Sequence, residues 1–179
     1  MWIKKSRVLA ILKVAPPLTG ATSINQSIID STQKWLGGEL EFKTISYASS
    51  IQDLGSYNLK KFLKFFLFLI SISKSLIVQR PQLVYFQMSI YGASFYRDSV
   101  IILLAKLTGR KVLVHLHGKG MRAYGESHVF YRFWISFLLK RQFAVVLTEG
   151  QKNDVDWIGR REIAVIPNGI SIPEGVEKK

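Results

Sequence analysis

The sequence predicts an α/β fold: a single Rossmann-like, doubly wound parallel sheet of about six or seven strands with helices on both faces. Three observations lead there. Six short runs are rich in Val, Ile, Leu and Phe without strict alternation, which is how strands buried on both faces read. Helical patterns lie between them, the order expected of βαβ crossovers; their right-handedness places helices on the two faces. The length, 179 residues, suits one domain with its own core.

The elements follow in order. Residues 1–23 resemble a signal peptide only in part. Lys4, Lys5 and Arg7 supply a basic start, but Lys13 interrupts the apolar run and Pro16-Pro17 follows. A buried strand over 8–15 is the preferred reading. A helix spans 22–36, with Thr22 or Ser23 as its cap and Gly37-Gly38 as its stop. A strand covers 41–47 and a helix 58–78, closed by Arg80-Pro81. Then come a strand over 83–88, a helix over 94–108 ended by Gly109, and a strand over 111–117. A helix over 127–141, a strand over 143–148, a helix over 149–158 ended by Gly159 and a strand over 163–167 complete the pattern. Residues 1–170 thus read as one domain. Residues 171–179 lose periodicity, hold Pro173 and Gly175, and read as a linker stub or tail.

Composition narrows the function. The apolar fraction of 48 % excludes intrinsic disorder. The absence of cysteine excludes a disulfide scaffold and Cys-ligated zinc or iron–sulfur sites, and it suits a reducing cytoplasm. The net charge of +13 points to an anionic partner: nucleic acid, an anionic membrane surface or a phosphorylated small molecule. The basic residues are scattered and no recognition motif is present, so specific nucleic-acid binding is not expected.

The stretch 62–78 contains Lys64 and Lys74 and is flanked by Lys60, Lys61 and Arg80, more charge than a spanning helix favours. At helical spacing Leu59, Phe62, Leu63, Phe66, Leu69, Ile70, Leu76 and Ile77 form one apolar stripe, with Lys60, Lys64, Ser71, Lys74 and Ser75 toward the other side. Phe65 and Phe68 are then aromatics beyond what a sheet contact needs. Two readings stay open. One is an ordinary helix packed on the sheet. The other is a basic amphipathic helix that meets anionic lipid through Lys60, Lys61, Lys64, Phe65, Phe68 and Lys74. The aromatic run 127–143 is expected to be mostly core, with Arg132, Lys140 and Arg141 able to border a second lipid-facing patch.

In a doubly wound sheet, ligands bind beyond the carboxyl ends of the strands. The first such loop holds Pro16, Pro17, Leu18, Thr19, Gly20 and Ala21; Gly20 allows close backbone approach, and the next helix offers free N–H groups to phosphate. No GxGxxG or Walker sequence accompanies it. The loop after the fourth strand is His115-Leu116-His117-Gly118-Lys119-Gly120. Strand period places His115 and His117 on one side of the pleat, and His117 at the strand's end, where it can touch a ligand. No third metal ligand accompanies them, so no metal site is expected. Asp154 and Asp156 have the look of a metal-binding D-x-D pair, but residues two apart on a helix point ~200° apart. They are expected to be solvated carboxylates.

The strand–PPxxG–helix opening over 15–23, the strand Val112-Leu113-Val114-His115-Leu116-His117-Gly118, and the run Val145-Val146-Leu147-Thr148-Glu149-Gly150 followed by Ile163 to Ile170 occur in an order that resembles the N-terminal domain of a family 4, GT-B-type retaining glycosyltransferase. The Pro167-Asn168-Gly169-Ile170 exit is similar to that family's passage into its second domain. The resemblance implies half of a GT-B fold. It implies an acceptor-binding domain, with a UDP- or GDP-linked nucleotide sugar held mainly by a separate C-terminal domain, and metal-free transfer with retention. By the same resemblance His117 is the cleft histidine near the transferred sugar. Pro17, Thr19, Gly20 and Ala21 form the loop that approaches the diphosphate, and Gly118, Lys119, Glu149, Asn168 and Gly169 complete the acceptor–donor cleft. The family's loop often has two adjacent glycines, whereas Thr19 precedes Gly20 here. The sequence closes soon after Gly169, without the donor domain.

The expected function is therefore acceptor binding in transfer of a sugar to a membrane-associated polysaccharide or lipid-linked acceptor, inactive without a donor-binding domain. The alternative is a non-catalytic membrane- or partner-binding module derived from such an enzyme. Beyond the nucleotide sugar as co-substrate no cofactor is expected. The expected location is cytoplasmic, peripheral on the inner face of the cell membrane, where an anionic surface and a separate donor domain are the partners.

Overall fold

Residues 7–35, 40–46, 50, 58–159 and 162–169 are described in the computed structural model of the chain. Six strands form one all-parallel sheet in the order β2-β1-β3-β4-β5-β6. They are β1 Val8–Lys13, β2 Leu40–Ile45, β3 Leu83–Met88, β4 Lys111–Leu116, β5 Phe143–Val146 and β6 Ile163–Val165. Register runs Val8 with Leu40 and Leu83, Leu83 with Lys111, Leu113 with Phe143 and Ala144 with Ile163, so the carboxyl ends share one edge. The fold is the Rossmann-like, doubly wound α/β arrangement that the apolar runs predict.

Helices connect the strands: α1 Gly20–Trp35, α2 Leu59–Lys74 continued by a π-helical turn over Ser75–Gln79, α3 Gly92–Leu107, α4 Met121–Glu126, α5 Val129–Leu139, and α6 Glu149–Val155 with a 3₁₀ turn over Asp156–Ile158. The chain steps from β1 outward to β2, then back across β1 to β3, and onward without further reversal. Right-handed crossovers put α1 on one face and the later helices on the other. Side chains agree. Asn25 of α1 bonds Gln87 of β3 on one face. On the other, Leu9, Ile11, Val84, Phe86, Val112 and Val114 join Ile72 and Leu76 near the end of the α2 segment, Phe95 and Ile101 of α3 and Ile135 and Leu138 of α5 in the main core. Helices thus cover both faces, but unequally among the described residues.

The ends of elements differ from the sequence reading for local reasons. β1 stops at Lys13 because Pro16 and Pro17 have no N–H to continue a ladder; Val14 N still donates to Ile45 O at 3.0 Å. Thr19, not Thr22 or Ser23, caps α1. Its hydroxyl accepts from Thr22 N at 3.2 Å while Thr22 Oγ1 accepts from Thr19 N at 2.8 Å, a reciprocal capping pair. Asn58 caps α2 through Lys61 N, and His128 caps α5 through Phe130 N, so α5 starts two residues later than predicted. The short helix α4 escapes the sequence reading because six residues with an internal glycine carry no usable period. Gly37, Gly38 and Tyr47, the signal-like residues Lys4 and Lys5, and the tail 171–179 lie outside the described residues.

α4 has a second consequence. Asp154 is buried, not solvated as expected: Oδ2 accepts from Gly120 N at 2.9 Å and Met121 N at 2.8 Å, and Oδ1 from Arg122 N at 3.1 Å. One carboxylate closes the N-terminus of α4 from across the fold, where Gly120 itself brings no side-chain cap. Asp156 instead pairs with the Arg122 guanidinium at 2.5 Å, so one aspartate serves main-chain amides and the other a side-chain charge. Asp154→Ala strands three buried or half-buried N–H groups and is expected to cost about 2–3 kcal/mol in urea unfolding. Asp156→Ala, at an exposed pair, is expected to cost less than about 1 kcal/mol by the same measurement.

Candidate functional site

The order of the strands reverses between β1 and β3, and a cleft of about 450 Å³ opens at the carboxyl edge of these two strands. Lys13, Val14, Pro16 and Pro17 form its β1 side. Thr19, Ala21 and Thr22 come from the start of α1. Gln87 to Tyr91 leave β3, Ser94 and Arg97 stand on the first turns of α3, and His117 and Gly118 follow β4. Both X–Pro bonds of the first loop, Ala15-Pro16 and Pro16-Pro17, are cis.

A fully buried carboxylate organises this edge. Asp98 Oδ2 receives Lys13 Nζ at 2.7 Å and Ser89 N at 2.8 Å, while Oδ1 receives Arg97 Nε at 3.0 Å and NH2 at 2.9 Å. Lys13 Nζ also donates to Ser89 Oγ at 2.9 Å. Burial alone would raise the Asp98 pKa, but the charges of Lys13 and Arg97 outweigh it and hold the carboxyl below its usual range. Burial pulls the Lys13 pKa down, and the attraction of Asp98 offsets only part of that. Behind this group, Asn25 Nδ2 donates to Lys13 O at 2.8 Å and to Gln87 Oε1 at 2.6 Å. Gln87 Nε2, buried in the cleft wall, has no hydrogen-bond partner among the described residues.

The histidines sit together as strand period requires, with ring centroids 4.1 Å apart. His115 is buried, and its Nδ1 shares a 2.5 Å hydrogen bond with the Tyr85 hydroxyl. Burial, aided by the charge of His117, lowers the His115 pKa to about 4, and burial pushes that of Tyr85 well up. His117 reaches the cleft wall. Burial and the nearby Lys13 ammonium lower its pKa and favour the neutral imidazole in the cleft wall; its Nε2 is buried and has no hydrogen-bond partner among the described residues. A Cβ at Gly118 would lie 2.8 Å from Ile90 Cδ1, the end of a side chain that would have to turn aside. Gly120, with φ of 121°, supplies the left-handed turn into α4.

The cleft therefore gathers Pro17, Thr19, Ala21, His117 and Gly118 from the expected set. Gly20 begins α1 with open space around its Cβ position and does not line the cleft, and Lys119 is exposed beyond it. Glu149 opens α6 beside Lys152, and Asn168 and Gly169 follow β6, exposed. These lie two and three strands from β3, roughly 10 and 14 Å across the sheet, so they do not line the cleft. Sequence reasoning missed Lys13, Arg97 and Asp98. Lys13 registered only as an interruption of an apolar run, and that interruption was the available signal. Among the described residues, no three or more His, Asp or Glu side chains come close enough to share a metal ion.

A second surface lies outside the cleft. The helical segment Leu59–Gln79 is long and apolar enough to cross a membrane by length and composition, yet only 17 % of its most apolar window is buried. Its inward side corrects the sequence reading. Phe65, Phe68 and Leu69 pack on the core beside buried Ile72 and Leu76, whereas Leu59, Phe62, Leu63, Phe66, Leu67 and Ile70 face outward. The helix is apolar nearly all round, so periodicity alone does not say which side meets the sheet. Lys60, Lys64 and Lys74 are exposed along the outer stripe, Lys61 is half-buried, and Lys64 Nζ donates to Ser46 O at 2.5 Å. α3 lies between α2 and α5 and exposes Leu107, while α5 exposes Val129, Phe130, Phe133 and Phe137. Residues 54–148 carry fourteen Lys and Arg against two acids, Asp98 and Glu126, so almost all the excess charge belongs to the part of the chain bearing this surface.

A scan against protein-family models and a search of curated proteins found no match to the chain. Two outcomes follow from the geometry. Asp98→Asn leaves Lys13 and Arg97 without their shared counter-charge, and is expected to cost about 3–5 kcal/mol by chemical denaturation. His115, with a folded pKa near 4 against 6.5, favours the unfolded chain once protonated. Its contribution is complete above pH 6.5 and is lost as pH falls toward 4, a loss of about 3 kcal/mol. His115→Gln is expected to flatten that part of the pH–stability curve.

Proposed function

We propose that this chain is the acceptor-binding part of a GT-B-type retaining glycosyltransferase that passes a sugar from a nucleotide sugar to a membrane-associated polysaccharide or lipid-linked acceptor. The observation that carries the reading is the position of His117. A half-buried neutral imidazole, whose Nε2 has no partner among the described residues, stands in the wall of an open cleft at the switch point of a doubly wound sheet. The strand–His-Gly and Pro-Asn-Gly resemblances agree with it.

His117 would hold a hydroxyl of the incoming or transferred sugar, since a neutral imidazole donates and accepts one hydrogen bond each. The nucleotide diphosphate needs more donors than this half-site offers, and a second domain closing on the carboxyl edge would supply them. The outward apolar stripe of α2, bordered by lysines and continued on α5, would rest on an anionic leaflet and keep a lipid-linked acceptor near the cleft.

That surface also favours the second reading, a membrane-binding module without catalysis. His117 separates the two. Saturation-transfer NMR with a lipid-linked oligosaccharide is expected to show glycan contact that His117→Ala weakens, with free UDP- or GDP-sugar binding more weakly than the glycan. Tight nucleotide-sugar binding without glycan contact would overturn the acceptor reading. For the surface, sedimentation with phosphatidylglycerol vesicles is expected to exceed that with phosphatidylcholine. The pair Phe62→Ser and Phe66→Ser is expected to reduce it by about a hundredfold or more, since each removes roughly 1.5–3 kcal/mol of buried apolar side chain. Indifference to lipid charge would remove the membrane from the proposal.

A further inference from the structure

The edge of the sheet opposite the cleft carries a charge pattern that sugar binding does not use. Each helix runs back against its strand, so the amino edge is where helices end and strands begin. Four neighbouring strands are entered there through an arginine. Arg7 directly precedes β1, Arg80 stands three residues before β3, Arg110 directly precedes β4, and Arg141 stands two residues before β5. The order β1-β3-β4-β5 sets these entries in one row, roughly 14 Å across. The first two are tied together, since Gln82 N donates to Arg7 O at 2.9 Å and Arg7 Nη1 to Gln79 O at 3.3 Å. Arg7, Arg80 and Arg141 are exposed, and Arg110 is half-buried. None of the four forms an ion pair among the described residues. The acids of this edge among the described residues stand on the outer strands: Glu41 on β2, engaged by Ser75 and Lys43, and Glu162 ahead of β6.

Two of these arginines occupy a backbone region that side chains resist. Arg80 has φ of 51° and Arg141 φ of 63°, and among the described residues no other residue except glycine has a positive φ. The matching position after α3 is taken by Gly109, with φ of 73°, which meets no steric penalty there. The helix dipole does not require the two arginines, because Lys74 and Lys140 already bring a cation to the ends of α2 and α5. The ends of the same helices expose Ile77 and Val78, Leu107 and Phe137, so cations alternate with apolar side chains along this edge. That mixture separates the anionic partners. Nucleic acid would use the cations and leave the aliphatic side chains against its phosphates, whereas a lipid surface takes cations at its headgroups and apolar side chains just beneath them.

We infer that the amino edge is a headgroup-binding rim, with the arginine row on anionic phospholipid and the flanking apolar side chains among the acyl chains. The inference rests on the membrane surface of the proposed function, and it adds the cations that read lipid charge and the edge that docks. The cleft lies a strand's length away, roughly 20 Å, at the opposite edge, and stays open to solution while the rim is docked.

The test is sedimentation of the full chain with vesicles of phosphatidylglycerol mixed with phosphatidylcholine, each variant below its unfolding temperature. The pair Arg80→Gly and Arg141→Gly provides the decisive sign. Glycine relieves both left-handed positions, so thermal stability is kept or raised. Vesicle binding is expected to fall about fivefold for each cation lost, about twenty-five-fold for the pair. The pair Arg80→Lys and Arg141→Lys keeps the charge and is expected to keep most of the binding. The pair Lys119→Gln and Lys152→Gln removes two charges from the cleft edge and is expected to leave binding unchanged. Full binding by the glycine pair, an equal loss in the Lys119 and Lys152 pair, or a loss in the lysine pair as large as in the glycine pair would each overturn the rim. So would a DNA duplex or polyglutamate bound more tightly than the vesicles through the same two arginines. If the unaltered chain is indifferent to lipid charge, the membrane reading and the rim fall together. If its preference for phosphatidylglycerol survives in the glycine pair, only the rim falls. The glycan experiment on His117 is independent of both.

Discussion

The Asp98 carboxylate is the interaction on which the working edge of this protein depends. A charge with no exposed surface is tolerated only when it is paired and its oxygens are filled. Here Lys13, Arg97 and the Ser89 amide fill them, and these belong to β1, to α3 and to the loop between β3 and α3. One side chain thus ties together both sides of the place where the strand order reverses. It joins the elements around the mouth of the cleft and holds two cations there.

Around that edge the sheet's topology does the rest. Stepping from β1 to β2 and back past β1 to β3 separates two crossover connections and leaves a gap that neither fills. The same reversal loads most helices onto one face. Packing α2, α3 and α5 side by side satisfies the core from within, through Ile72, Phe95, Ile101, Ile135 and Leu138, and leaves their outer surfaces with Phe62, Phe66, Leu107, Phe133 and Phe137 uncovered. Helices apolar on two sides leave an exposed apolar layer of an extent unusual for a surface facing water. The cleft and the apolar layer are separate outcomes of one winding pattern.

Much of the architecture was legible in the residues. Strands such as Val8 to Leu12 and Phe143 to Val146 are continuous apolar runs, and burial on both faces is the natural fate of such segments. The place of His117 at a strand's end followed from counting in twos. Other parts were not legible. Asp98 sits inside a helical pattern, and its partner Lys13 is 85 residues away. Asp154 looks like any polar residue near a helix end until α4, more than thirty residues earlier, turns its amides toward it. The segment from Leu59 to Gln79 is apolar on nearly every side, so no wheel could choose Phe65 and Phe68 over Phe62 and Phe66 as the inward pair.

The sequence by itself determined the alternation of strand and helix, the all-parallel winding that alternation imposes, the surplus of positive charge and the histidine pair sharing one side of β4. These are properties of neighbours along the chain, set by side-chain period, by proline and glycine, and by composition. Only the tertiary structure decided which carboxylate balances which cation and which side of α2 stays outside. Each depends on groups brought together across long stretches of chain, where local pattern carries no information about who the partner will be.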